Sequence, residues 1–167
     1  RLLASAGLVT PTIHAADHSR GLVLIGDLGD RVFGVEVGKG ADLETMWAAA
    51  TDTLVEMRAI DARRIRDWNA GEGQASPVQT YDRGAYEIET TLLPDWYWPL
   101  VFGAPIADDV RRAFHDAWAP VLDRLMADPN QTIVLRDYHS PNLLYMPERN
   151  GAAHNTVGII DFQDALI

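Results

Sequence analysis

The last third of the chain places polar residues at the ends of short apolar runs, and this pattern constrains the fold most. One run ends at Arg136-Asp137, and Asn142 follows five positions after that aspartate. A later run ends at Asp161. Two carboxylates and an amide at the ends of short strands offer hard oxygen ligands for Mg²⁺, and a carboxylate can also accept the proton of a hydroxyl group. The pattern therefore indicates phosphoryl transfer from a metal-bound nucleotide.

The two segments that carry these residues resemble a known enzyme family. The spacing from Arg136-Asp137 to Asn142, followed by Asp161, resembles the catalytic loop and metal-binding motif of kinase-fold phosphotransferases. The segments RDYHSPNLL (136–144) and GIIDFQDA (158–165) are similar to those of the aminoglycoside phosphotransferase and choline kinase family. Within that family they most resemble the bacterial kinases that phosphorylate N-acetylmuramate and N-acetylglucosamine at the anomeric hydroxyl.

This resemblance implies an α+β fold of the protein-kinase-like type, mainly its helical C-terminal lobe. Residues 1–30 would form the end of the N-terminal lobe and the hinge, and residues 31–167 the C-terminal lobe, of one partial domain. No glycine-rich strand pair and no strand lysine precede Gly21, so most of the nucleotide-clamping lobe is missing. Because the chain starts at Arg1, we expect either a piece of a longer protein or a reduced relative.

The resemblance also implies roles for individual residues. Asp137 would be the general base, and Asn142 and Asp161 would hold Mg²⁺, with ATP as the phosphoryl donor. Backbone groups of the hinge would contact the adenine, and the hinge falls on four residues: Ile25, Gly26, Asp27 and Leu28. Leu135 stands where many family members have a histidine, so a supporting hydrogen bond from that histidine is not expected here.

Three more polar residues near these positions have two interpretations each. Arg136 would bind a phosphate or form a structural salt bridge, since its planar guanidinium suits both. His139 would approach the substrate or phosphate, or lie exposed in its loop. Asp164 would face the acceptor sugar, or lie at the surface as a capping residue. All three are candidates for substrate contact or support.

The function implied is ATP-dependent transfer of the γ-phosphoryl group to a hydroxyl of an amino sugar or an aminoglycoside. For the cell, this implies a role in cell wall recycling. One alternative is a kinase-like binding module without turnover, which the intact Asp137, Asn142 and Asp161 argue against. Another is a kinase for a different small alcohol, such as choline or homoserine.

Composition excludes several other classes of protein. The 167 residues suffice for one domain with a core, and a net charge of −10 disfavours binding to nucleic acids and anionic membranes. The absence of cysteine rules out disulfide scaffolds and thiolate sites and favours a cytoplasmic setting. No apolar run approaches the roughly 20 residues of a membrane-spanning helix.

The first half of the chain predicts a strand, a loop and a long helix. Residues 22–25 form an apolar run between glycines, which suggests a short buried strand. Residues 34–40 depart from a phosphate-binding loop in spacing and lack its Ser or Thr, so we interpret them as a flexible loop. Asp42 is a suitable N-cap for a helix over residues 43–67, and a loop follows over residues 68–81.

The second half predicts helices and then short strands. Residues 82–100 have a helical pattern that Pro94 should kink, and the Trp96-Tyr97-Trp98 cluster would either stack on a sugar or, as we favour, pack in the core. The next helix should be capped by Asp108 or Asp109. Its predicted buried face is Val110, Phe114, Ala117, Val121, Leu122 and Leu125. Strands are predicted over residues 132–135, 143–146 and 157–160.

Overall fold

The computed structural model describes residues 1–61, 64–65 and 78–167. These residues belong to two compact units. The first comprises Arg1–Gln79 and Thr132–Ile167, and the second comprises Thr80–Gln131. Helices combine with two small antiparallel sheets, which confirms the predicted α+β class. The division into lobes near residue 30 stays a prediction.

The first unit contains both sheets and the segments predicted to carry the site. Its helices are α1 (Leu2–Ser5), α2 (Phe33–Gly38) and α3 (Leu43–Arg58), and its strands are β1 (Ile13–Asp17), β2 (Leu22–Ile25), β3 (Leu143–Tyr145) and β4 (Val157–Ile159). Two 3₁₀ turns, Ser140–Asn142 and Ala153–Thr156, precede β3 and β4. Residues 33–38 are therefore helical, and the predicted loop over residues 34–40 is wrong for most of its length.

Helix α3 begins where its cap was predicted. The Asp42 carboxylate accepts the Glu44 N–H at 3.2 Å and also the Thr45 hydroxyl, which satisfies donors in the first turn. The helix ends at Arg58, earlier than predicted, where the Ile60 N–H bonds to Met57 O at 3.1 Å and tightens the last turn. The predicted end at residue 67, and most of the loop that should follow, lie outside the described residues.

Two buried clusters hold the first unit together. One joins α1, the end of α3 and the segment before Arg136: Leu2, Leu3, Leu8, Met57, Ile60, Ile65, Ile133, Leu135 and Ile159. The other joins α2 and α3 to the β3–β4 pair: Phe33, Met46, Ala49, Ala50, Leu143 and Val157. Tyr138 packs against both clusters, so the predicted catalytic loop is anchored in the core on two sides.

The β3–β4 pair is the scaffold of the predicted site. Leu143 pairs with Ile159 in antiparallel register, and Gly158 makes a further parallel bridge to Val9. The strand predicted over residues 132–135 is wrong, because Val134 alone pairs there, through an isolated bridge to Leu166. The left-handed φ of +66° at Arg136 then turns the chain, so the run is too short to form a strand.

The β1–β2 hairpin confirms one prediction and contradicts another. Residues 22–25 form a strand, with Leu22 paired to Asp17 and Ile25 paired to Ile13. However, Leu22 is 60% exposed and Leu24 is 63% exposed. Among the described residues the hairpin has two strands and no layer packed on either face, so its apolar side chains are not buried.

The second unit is helical throughout its described elements. These are α4 (Arg83–Leu92), a π-helical turn (Leu93–Tyr97), α5 (Trp98–Phe102) and α6 (Asp108–Met126). Pro94 has no N–H to donate within a helix, and the predicted kink takes the form of this wider turn. The predicted carboxylate cap of α6 is wrong, because Ala107 precedes the helix, and Asp108 and Asp109 lie in its first turn.

Apolar side chains of the second unit are more exposed than predicted. Trp96 is 73% exposed and Tyr97 is 59% exposed, so core packing is wrong for these two rings. On α6 the predicted apolar face is buried only at Leu122, and a cavity of about 520 Å³ opens beside Phe114 and Trp118. None of the helices in the described part of the chain has the length and apolar character needed to cross a membrane.

Candidate active site

Asn142 connects the two segments that were predicted to share a site. Its side-chain Nδ2 donates to Asp137 O at 3.0 Å, and its main-chain N–H donates to His139 O at 2.9 Å. Its own carbonyl accepts the Ile160 N–H at 3.1 Å, one residue before Asp161. The residue is buried, as expected for an amide held from several sides. Asp137, Asn142 and Asp161 therefore lie on segments joined by hydrogen bonds.

The orientation of Asn142 decides which of its atoms is available to a cation. Because Nδ2 donates to Asp137 O, the acceptor atom Oδ1 is the side-chain atom left for a ligand. Pro141 in the preceding 3₁₀ turn restricts the backbone that presents this amide. The Asn142 amide oxygen and the Asp161 carboxylate are each hard oxygen donors of the kind that Mg²⁺ prefers.

Asp137 is presented by a tightly turned loop. The Asp137 N–H donates to Leu135 O at 2.8 Å, and its carbonyl accepts the His139 N–H at 3.0 Å. Arg136, just before it, adopts a left-handed φ of +66°, a conformation that costs energy for a residue with a side chain. The Asp137 side chain is exposed. The loop thus holds the main chain of this residue and leaves its carboxylate accessible to a substrate.

Asp161 lies just beyond the end of β4 in a strained conformation. Its φ is +57°, and its side chain is exposed. Gln163 Nε2 donates to Asp161 Oδ1 at 2.7 Å. Left-handed backbone conformations at residues other than glycine cluster at functional sites, where the surrounding structure maintains them. Asp161 and Arg136 both have this left-handed conformation. Asp161 is a predicted cation ligand, and Arg136 directly precedes the predicted base Asp137.

Tyr138 fixes the loop to helix α3. Its hydroxyl donates to Ala50 O at 2.8 Å, across 88 positions of sequence. Burial of the ring raises the pKa of Tyr138 to about 12, so the hydroxyl keeps its proton and remains a donor. Since Tyr138 follows Asp137 directly, this bond restrains the position of the aspartate.

The predicted hinge lies against β4. Gly26 N–H donates to Thr12 O at 2.7 Å at the open end of the hairpin, so this particular group is not available to an adenine. Ile25 ends β2, and the Asp27 carboxylate accepts the Gly29 N–H at 2.7 Å. Leu28 approaches the strand so closely that a Cβ added to Gly158 would lie 3.1 Å from Leu28 Cδ1.

The three secondary candidates lie beside this network. Arg136 and His139 are exposed on the loop that carries Asp137. Asp164 is exposed within a turn closed by the Ala165 N–H and Phe162 O at 3.2 Å. Within the described residues, no group of three or more His, Cys, Asp or Glu is placed to hold a metal ion.

Sequence reasoning missed three residues that shape this site. Gln163 contacts a predicted cation ligand, Tyr138 anchors the loop, and Gly158 permits the close approach of Leu28. A glycine inside a short apolar strand is a signal for close backbone approach that the sequence did offer. The partner of Tyr138 lies on a distant helix, and no local pattern indicates it.

The comparison with known families covers the whole chain. Residues 1–167 match the phosphotransferase enzyme family. The chain belongs to this family. The resemblance recognised in the two catalytic segments is thereby confirmed, and with it membership of a family of enzymes that transfer phosphate.

Curated relatives of this phosphotransferase carry one name. The N-acetylmuramate/N-acetylglucosamine kinase of Caulobacter vibrioides is 31% identical over an alignment of 169 residues, gaps included. The alignment covers 99% of this chain and 44% of the relative. Kinases of the same name are 28% identical in Pseudomonas putida, with 99% and 42% covered, and in Pseudomonas aeruginosa, with 99% and 43% covered. The chain thus spans less than half the length of the curated relatives it matches.

Proposed function

We propose that the protein is an ATP-dependent kinase that transfers the γ-phosphoryl group to a hydroxyl of an amino sugar. The observation that carries this proposal is the set of hydrogen bonds around Asn142, which link the segments of Asp137 and Asp161. Membership of the phosphotransferase family supports the reaction type. We expect the reaction in the cytoplasm, where ATP is available.

Asp137, Asn142 and Asp161 have different roles in the reaction. Asp137 orients the acceptor hydroxyl and takes its proton as the oxygen bonds to the γ-phosphorus and the bond to the ADP oxygen breaks. Asn142, through Oδ1, and Asp161 hold the cation. When bound, Mg²⁺ supplies charge neutralisation at the phosphate oxygens. Because the transition state is loose, catalysis depends chiefly on positioning, which the anchored loop provides.

The acceptor class rests on the curated relatives. All three carry names as N-acetylmuramate/N-acetylglucosamine kinases. We therefore expect an N-acetylated amino sugar as the acceptor, phosphorylated at its anomeric hydroxyl as the resemblance implies. Aminoglycosides, choline and homoserine are the acceptors to be excluded by experiment.

The test is ADP release by the full-length protein with ATP, Mg²⁺ and each acceptor in turn. We expect turnover with N-acetylmuramate or N-acetylglucosamine. Asp137→Asn should lower kcat by about 10²–10⁴-fold, the usual contribution of a general base, while nucleotide affinity stays unchanged. Asp116→Asn, the same change on the exposed surface of α6, is the control and should behave as the wild type.

Three results would contradict parts of this proposal. Turnover with choline or homoserine alone would show that the acceptor class is wrong. Nucleotide binding without turnover on any acceptor would favour a kinase-like binding module. Full activity in Asp137→Asn would refute the role of the base.

A further inference from the structure

Gln163 contacts the carboxylate of Asp161, which is a cation ligand in the proposed function. Its Nε2 donates to Asp161 Oδ1 at 2.7 Å. Phe162, between the two residues, packs against the first core cluster. The Ala165 N–H closes a turn onto Phe162 O at 3.2 Å. The main chain on either side of Gln163 is therefore held, and its amide is presented to Asp161 by a short, fixed segment.

This hydrogen bond distinguishes the two oxygens of the carboxylate. With Oδ1 accepting from Gln163, rotation of the Asp161 carboxylate is restrained, and Oδ2 is left open to a cation. An exposed carboxylate without such a partner would sample several orientations and lose entropy when it binds an ion. Carboxylate ligands in metal sites generally have such outer hydrogen-bond partners, whose removal weakens metal binding.

We infer that Gln163 is a positioning residue that orients the Asp161 carboxylate towards a divalent cation. The inference rests on the proposed function, because it takes Asp161 as a cation ligand. Both side chains are exposed, so the bond between them contributes little to folding stability. Its effect is instead on the orientation of the Asp161 carboxylate, which accepts this hydrogen bond at 2.7 Å.

Cation affinity tests this inference without reliance on catalytic activity. Gln163→Met keeps the length of the side chain and removes the donor. The probe is Mn²⁺, with the free ion measured by electron paramagnetic resonance in the full-length protein at saturating ADP. We expect the Kd for Mn²⁺ to rise about 10–100-fold, the range found when outer-shell partners are removed. The thermal unfolding midpoint should not change.

Two further variants complete the design. Gln131→Met makes the same substitution at an exposed position of the second unit and should leave the Kd for Mn²⁺ unchanged. Asp161→Asn removes the ligand itself and should weaken Mn²⁺ binding at least as much as Gln163→Met does.

The outcomes separate this inference from the proposed function. Wild-type Mn²⁺ binding by Asp161→Asn would overturn the proposed cation site, and the role of Gln163 with it. Loss of binding in Asp161→Asn together with wild-type affinity in Gln163→Met would overturn only the role of Gln163. A lower unfolding midpoint in Gln163→Met with an unchanged Kd would likewise overturn it, since the hydrogen bond would then serve folding alone.

Discussion

Replacement of Gly158 by alanine tests the contact between Leu28, in the predicted hinge, and the β3–β4 pair. A Cβ at this position would lie 3.1 Å from Leu28 Cδ1, 3.2 Å from Met146 Sδ and 3.3 Å from Leu144 Cβ. The first two atoms lie at or near the ends of flexible side chains, which can change rotamer. Leu144 Cβ is attached to a backbone that pairs directly with Gly158, so that contact does not relax easily.

These distances set the expected size of the effect. Overpacking of a well-packed core costs about 1–3 kcal/mol, and the removal of glycine from the unfolded chain returns about 0.4–1 kcal/mol. We therefore expect Gly158→Ala to lower the free energy of unfolding by about 1 kcal/mol, measured by urea denaturation. Leu28 must also move, so the Kd for ATP should rise.

A double mutant decides whether contact with Leu28 causes the loss of stability in Gly158→Ala. Leu28→Ala removes the Cδ1 atom that the new methyl group would meet. If the contact is the cause, Gly158→Ala combined with Leu28→Ala should lose less stability than the sum of the single losses, by about 0.5 kcal/mol or more. Additive losses would assign the cost to the contact with Leu144 Cβ and not to Leu28. A Gly158→Ala variant as stable as the wild type would refute the reasoning.

Two other predictions concern the scaffold of the site. Tyr138→Phe removes the hydrogen bond to Ala50 O and should lower the free energy of unfolding by about 0.5–1.5 kcal/mol in urea denaturation. In the same variant, kcat should fall by a larger factor than any change in the KM for ATP. Buried Glu36 has a pKa below its ordinary value of 4.5, chiefly because Lys39 Nζ donates to it at 2.9 Å. The contribution of the Glu36 carboxylate to stability is therefore present above pH 4.5 and is lost as the pH falls through the lowered pKa. Glu36→Gln should flatten the pH dependence of the free energy of unfolding below pH 4.5 and leave the pH dependence above pH 4.5 unchanged.

The sequence predicted the local structure next to two candidate site residues, namely the short strands that follow Asn142 and precede Asp161. Asn142 is placed by a 3₁₀ turn that begins at Ser140 and contains Pro141, and Asp161 by the apolar strand before it. Both are features of a few consecutive residues. Helix α3 was predicted with its cap for the same reason, because Asp42 and the apolar spacing act within single turns of helix.

The sequence did not predict features that depend on distant partners. The burial expected for β2 requires a layer against the hairpin, and none of the described residues supplies one. The anchoring of Tyr138 depends on the carbonyl of Ala50 in another element. The strand expected over residues 132–135 depends on a neighbour too, and Leu166 offers only a single bridge. Tertiary context decides such features, and propensity does not.

The left-handed backbone of Asp161 determines how its role should be studied by mutagenesis. Asparagine adopts a φ near +57° at least as readily as aspartate, because both carry a short polar side chain that can hydrogen-bond locally and offset the contact between Cβ and the backbone. Alanine has the same contact without that compensation. An alanine scan would thus mix conformational strain with the loss of the carboxylate and overstate the chemical contribution of this residue. The amide replacement isolates the charge, and glycine is the informative substitution for the backbone alone.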